Sequence, residues 1–185
     1  MSTTKIVFSG FGGQGILTLG QIVADIAMNK GKEVTWMPSY GAEMRGGTAN
    51  CSVIISDKII GSPIVNKNID ILCAMNSPSI TKFLGGMRPQ GQVYVNTSIV
   101  TEKIDNETYG LDLDIVEIDA TNIAAKAGNI RVANMVMLAG FLRKTNLFTL
   151  EDIERSMEKR FKARGAHLIP LNLQAIEQGL ESIEK

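Results

Sequence analysis

Charge of one sign is missing from this sequence. Nineteen Lys and Arg balance nineteen Asp and Glu, giving a formal net charge of zero. Such a chain builds no broad field for nucleic acid or anionic lipid, so neither a nucleic-acid nor a membrane partner is expected. Aromatic residues are scarce at 5%, which argues against platforms for base stacking. The two cysteines, Cys51 and Cys73, cannot ligate a four-cysteine iron–sulfur or zinc site. Both sit in apolar strand-like runs, the setting of buried free thiols, and a reducing cytoplasm is the expected location. The single histidine, His167, follows Arg164-Gly165 in a polar connection with no metal-spaced partner, so it reads as a surface residue. The opening MSTTKIVFSG has no signal-peptide core, and no apolar run reaches membrane-spanning length. Serine-nucleophile elbows, Walker loops, internal repeats and long linkers are also missing.

What remains is the material of an α/β protein. With 185 residues and 44% hydrophobic content, residues 1–185 are expected to form a single domain burying roughly 70% of its unfolded surface. Residues 5–9 (KIVFS) are a short apolar run ending on glycine, the pattern of a buried parallel strand. Gly10-Phe11-Gly12-Gly13-Gln14-Gly15 follows, then residues 16–29, where Ile16, Leu19, Val23 and Ile26 mark one buried helix face. Further strands are expected at 33–36, 51–56, 69–75, 92–96 and 116–118, with Ile59-Ile60 pairing back on 51–56 as a short hairpin. Ser77 is expected to cap a helix with Pro78 at its first position, and Asp119 and Thr121 to open another. The C-terminal half turns helical, over 130–144, from a Thr149/Asp152 cap through Phe161, and over 171–185. The reading is a Rossmann-like, mostly parallel sheet with flanking helices and a helical C-terminal end.

Two glycine-bearing stretches stand out. Residues 38–50, PSYGAEMRGGTAN, link two strand-like runs with thirteen residues, including Gly41, Gly46, Gly47, Glu43 and Arg45. A connection that long with so little to bury is held for a purpose or packed on itself. The strand–glycine–helix context also makes the first motif more than a string match, because bare backbone at a helix start can hold a phosphate or carboxylate. A dinucleotide site, however, wants an acid at the exit of the second strand. Here that exit reads Met37-Pro38-Ser39, with Glu33 at the wrong end. Both stretches are expected to leave the C-terminal ends of neighbouring strands, where open α/β sheets place ligands. Asp112 and Asp114 form a D-x-D pair that can hold a metal, but reads better as a solvated strand edge.

GFGGQG, then WMPSYGAEMRGGTANCSVIIS, IGSPIV, AMNSPS and VYVNTS, in that order and spacing, resemble the gamma subunits of 2-oxoacid:ferredoxin oxidoreductases. The helix segment ANMVMLAG at 133–140 fits as well, and Ala42 departs from a proline common in relatives. The resemblance implies one subunit of a complex that converts a 2-oxoacid, CoA and oxidised ferredoxin into acyl-CoA, carbon dioxide and reduced ferredoxin. It implies thiamine diphosphate, magnesium and iron–sulfur clusters in alpha, beta and ferredoxin-like delta partners, with no catalytic residue, metal or cofactor held by this chain alone. The contacts it suggests, to CoA, another anion or a partner, are Gly10, Gly12, Gly13, Gln14 and Gly15, with Ser39, Tyr40, Gly41, Glu43, Arg45, Gly46 and Gly47. A stand-alone dinucleotide-binding oxidoreductase and a regulatory nucleotide-binding module are the alternatives.

Overall fold

Alternating apolar residues and short glycine turns produce six strands that join in one mixed sheet, ordered β2-β3-β1-β4-β5-β6. The computed structural model describes residues 3–39, 48–104, 106, 110–145, 147–162 and 165–183. The strands are β1 (Thr3–Gly10), β2 (Glu33–Ser39), β3 (Ala49–Ser56), β4 (Ile69–Ala74), β5 (Met87–Asn96) and β6 (Asp114–Ile118). The helices are α1 (Ile16–Asn29), α2 (Ser77–Phe83), α3 (Ala120–Lys126), α4 (Ala133–Lys144), α5 (Leu150–Phe161) and α6 (Ile169–Ile183). Among the described residues, no helix is long and apolar enough to cross a membrane.

The sheet is parallel except at β3, which runs antiparallel to both β1 and β2. β2 and β3 are joined as a hairpin, from Ser39 opposite Asn50 to Glu33 opposite Ser56, and a hairpin dictates antiparallel pairing. β3 therefore separates β2 from β1, which corrects the expectation that the two glycine-bearing stretches leave neighbouring strands. The same insertion explains why Ile59-Ile60 does not pair back. Both edges of β3 are already occupied, and Ile59 is left 89% exposed.

Each face of the sheet has its own core. On one face α1, α4, α5 and α6 cover Ile6, Phe8, Val53, Ile71, Cys73, Tyr94 and Ile118. Phe141 of α4 centres this core, with ring centroids 6.1 Å from Phe8, 5.9 Å from Tyr94 and 5.3 Å from Phe148. A Cβ at Gly140 would stand 2.3 Å from Ile118 Cδ1, so the missing side chain lets α4 lie close on the sheet. On the other face Ile80, Leu84, Val100 and Leu113 cover Val7, Leu72, Ala74, Val93 and Val95.

Helix starts follow local chemistry, with one shift. Thr149 and Asp152 form a reciprocal capping box, the Asp152 N–H donating to Thr149 Oγ1 at 3.2 Å and the Thr149 N–H to Asp152 Oδ2 at 2.8 Å. At α2 the cap is Asn76, not Ser77. Asn76 Oδ1 accepts from the Ser79 N–H at 3.0 Å, while the Ser77 hydroxyl donates to Glu102 Oε2 at 2.5 Å. Pro78 then falls within the first turn, where its missing N–H costs nothing.

Candidate functional site at the loop end of the sheet

The C-terminal ends of β1, β4, β5 and β6 gather around the glycine turn that leaves β1. Gln14 holds this turn together. Its N–H donates to Phe11 O at 3.2 Å, its side-chain oxygen accepts from the Phe11 N–H at 2.6 Å, and its amide nitrogen donates to Met75 O at 3.3 Å. One side chain thereby closes the turn and fastens it to the end of β4. Gly15 adopts φ 72° and ψ 19° as the residue before α1, and α1 has neither a side-chain cap nor an acid in its first turn. Gly13, at φ 92°, has no atom within 4 Å of where a side chain would begin, so its backbone is open to an approaching group.

Asn134 at the start of α4 completes the turn from 119 residues away. Its amide donates to Gly15 O at 3.2 Å, and its own oxygen accepts from the Met135 N–H. A Cβ on Gly15 would lie 2.4 Å from that Asn134 nitrogen. The ANMVMLAG motif contained Asn134, but no local pattern signals an amide reaching back to the first turn. Asn76 was missed too. It is buried at the end of β4, its Oδ1 is 2.5 Å from Ser79 Oγ, and its Nδ2 has no partner among the described residues.

The second glycine-bearing stretch opens at this same end. Gly10 pairs with Ala49, and Ser9 and Ser39 both pair with Asn50, so the flanks of the 38–50 connection lie beside the glycine turn. Ser39 is exposed, and Thr48 is buried with its hydroxyl 3.3 Å from Lys82 Nζ. Tyr40, Gly41, Glu43, Arg45, Gly46 and Gly47 lie outside the described residues. Of the expected contacts, the structure therefore brings together Gly10, Gly12, Gly13, Gln14 and Gly15, with Ser39 two strands away.

On the opposite side of the turn, a cleft of about 180 Å³ lies between Gly13, Gln14, Met75, Ile99, Thr121, Ile130, Arg131 and Ala133. Its Thr121 wall is fixed by a relay between loops. The Ser98 hydroxyl donates to Asp119 Oδ1 at 2.6 Å and accepts from the Thr121 and Asn122 N–H groups, and the Asn96 amide donates to Thr121 Oγ1 at 2.9 Å. Ser98 thus caps α3 from the end of β5, and Asp119, the residue before α3, does not use its own side chain for this.

Other candidates lie elsewhere. Asp112 and Asp114 are exposed at the start of β6, and Asp114 sits 3.8 Å from Lys144 Nζ. Among the described residues no group of three or more His, Cys, Asp or Glu can hold a metal ion. His167 is exposed in a short 3-10 turn. Cys51 and Cys73 are buried, and burial pushes both thiols up to about 12, which leaves them protonated and unreactive at neutral pH.

Residues 5–182 match the family model described as pyruvate ferredoxin/flavodoxin oxidoreductase. The chain belongs to this family. It is 35% identical over 156 residues to the 2-oxoglutarate synthase subunit KorC of Methanocaldococcus jannaschii, covering 83% of this chain and 81% of KorC. It is 34% identical over 183 residues to the ketoisovalerate oxidoreductase subunit VorA of Methanothermobacter marburgensis, covering 98% of this chain but only 37% of VorA. The fold is that of the keto/oxoacid ferredoxin oxidoreductase gamma subunit from Geobacter sulfurreducens PCA, with a TM-score of 0.81, 28% identity and 98% of each chain covered.

Proposed function

We propose that this chain is the gamma subunit of a thiamine-diphosphate-dependent 2-oxoacid:ferredoxin oxidoreductase in the cytoplasm, folded as a single domain. The observation that carries the reading is colinearity. The match to the family runs through residues 5–182, and a relative of similar length is named as one subunit of a 2-oxoglutarate synthase. In such a complex thiamine diphosphate with magnesium in the alpha and beta subunits supplies decarboxylation chemistry, and iron–sulfur clusters there and in a ferredoxin-like delta subunit conduct the electrons. The relatives are named for different 2-oxoacids at nearly equal identity, which supports leaving the choice of acid to the other subunits.

The part given to this chain is docking and access for CoA. The open backbone at Gly13 and the uncapped start of α1 suit an anion, a CoA phosphate being the natural one. Gln14 and Asn134 keep the turn in the shape that leaves those N–H groups free. Gly10, Gly12 and Gly15 let the backbone come close, and Ser39, Gly41, Gly46 and Gly47 of the second stretch are the remaining contacts in this reading. Arg45 supplies a bidentate charge to a CoA phosphate or a partner carboxylate, with Tyr40 and Glu43 shaping the stretch around it.

Two measurements test this. The chain, tagged in its own cell, is expected to purify with larger chains that bear thiamine diphosphate and iron–sulfur clusters and reduce ferredoxin in the presence of a 2-oxoacid and CoA. Purification alone, with no such activity, overturns the subunit reading. In the complex, Arg45→Ala is expected to raise the KM for CoA roughly tenfold or to weaken assembly, since a charge-assisted contact is worth about 1.5–3 kcal/mol. Neither change would remove Arg45 from the site.

A further inference from the structure

A larger cleft opens between α5 and the start of α6, and none of the glycine-turn residues lines it. Its volume of about 500 Å³ falls within the roughly 300–1,000 Å³ of clefts that take whole small molecules. Arg155, Glu158, Lys159 and Lys162 form one wall, since steps of three and four residues keep them on one face of α5 and its cap. Ala166 and Ile169, where a short 3-10 turn runs into α6, form the other. The Gly165 N–H donates to Phe161 O at 2.9 Å and the Leu168 N–H to Gly165 O at 2.8 Å, which ties this turn to the end of α5.

The lining combines an excess of positive charge with methyl groups. In a chain of zero net charge, three cations and one acid line this cleft. Arg155 is paired with Glu151 at 2.8 Å, whereas Lys159 and Lys162 make no ion pair among the described residues. The first turn of α6 contains no acid. Ala166, Ile169 and the methylene stems of the lysines supply apolar surface. Among the described residues, no aromatic side chain lines the cleft to stack on a base, and no amide or hydroxyl side chain lines it to read a sugar. We propose that this cleft binds a small aliphatic carboxylic acid, its carboxylate paired with Lys159 and Lys162 and its chain laid against Ala166 and Ile169. The two lysines suit a compact anion as point charges on rotatable stems, and Glu158 repels a second negative group, so the ligand carries a single charge. This binding does not depend on the assembly to which the chain belongs.

The test is a titration of the full chain with decanoate, followed by NMR through the methyl resonances of Ala166 and Ile169. Both are expected to shift together and to saturate in the millimolar range, as suits a small ligand in an open cleft. Decanol, with the same chain length and no charge, is expected to bind about tenfold more weakly, and inorganic phosphate, charged but without an apolar chain, not to displace decanoate at equal concentration. Lys159→Glu combined with Lys162→Glu is expected to raise the Kd for decanoate about tenfold or more. Lys58→Glu combined with Lys67→Glu, an equal change of charge on the connection after β3, should leave it within about twofold. All four lysines are exposed, so melting temperatures matching the native chain show that the variants fold. Ala166 and Ile169 resonances unmoved by decanoate would overturn the proposal. So would equal binding of decanol, displacement by phosphate, or equal losses in the two lysine pairs.

Discussion

At Gly15 a single added methyl group meets two objections at once. The backbone is in the left-handed region at φ 72°, and the new Cβ would stand 2.4 Å from the Asn134 amide. A non-glycine residue there costs about 1–2 kcal/mol from conformation alone, and the clash adds to it. Gly15→Ala is therefore expected to fold with a melting temperature several degrees lower. Adding Asn134→Ala removes the steric part, so the double variant should lose less than the sum of the single losses. Additive losses in thermal denaturation would show that the two residues do not press on each other. The cysteines give a second expectation at this scale. With both thiols pushed up to about 12 by burial, neither Cys51 nor Cys73 is ionised at pH 8. Iodoacetamide should leave both unmodified in the folded chain and label both in 6 M guanidinium, read by mass spectrometry. Rapid labelling of the native chain would mean that one of them is reachable.

At the scale of elements, the start of α5 ties local capping to tertiary packing. Asp152 closes the capping box with Thr149 and also pairs with Lys30 just beyond α1, at 2.6 Å. Thr149→Ala is expected to cost about 1 kcal/mol in denaturant unfolding. Lys30 first, and then the Thr149 N–H, hold the Asp152 carboxyl below its ordinary range. A depressed carboxyl contributes stability above its unfolded value, near 4, and that stability is lost as pH falls through the folded value. The native chain should therefore lose more stability on acidification below about pH 4 than Asp152→Asn does, and equal losses would remove the pair from the account. This capping box was legible in the sequence because its partners lie three residues apart. So was the strand–turn–helix of β1 and α1, where glycines and a helical stripe adjoin. The place of β3 was not legible, because apolar alternation marks a strand without naming its neighbours. That is why Ile59-Ile60 was expected to pair with an edge that β2 already fills. Within the site, the glycine turn could be read, whereas Asn134 depends on packing between residues 119 positions apart and could not.

For the whole molecule, the order of strands decides what the glycine turn can serve. In a dinucleotide site the second strand lies beside the first, and an acid at its end reaches the ribose while the pyrophosphate rests on the helix start. Here β3 stands between them, so the end of β2 is about 10 Å from that of β1, two strand spacings instead of one. The residues at that end, Met37, Pro38 and Ser39, carry no acid for a ribose and no arginine for a 2′-phosphate. The strand beside the turn is β3, which enters through Thr48 and Ala49 and likewise offers no acid. The turn keeps its capacity for an anion, and among the described residues the ends of β2 and β3 supply no acid for the ribose of a dinucleotide. The chain alone is therefore expected to show no saturable binding of NADH or NADPH up to about 1 mM by fluorescence titration, and to purify without flavin. Glutamate introduced as Ser39→Glu should not create a site, because it would stand one strand too far from the turn. Saturable NADH binding by the native chain below about 10 µM would restore the dinucleotide reading, since 10 µM corresponds to about 7 kcal/mol of binding that a lone glycine turn has no means to supply.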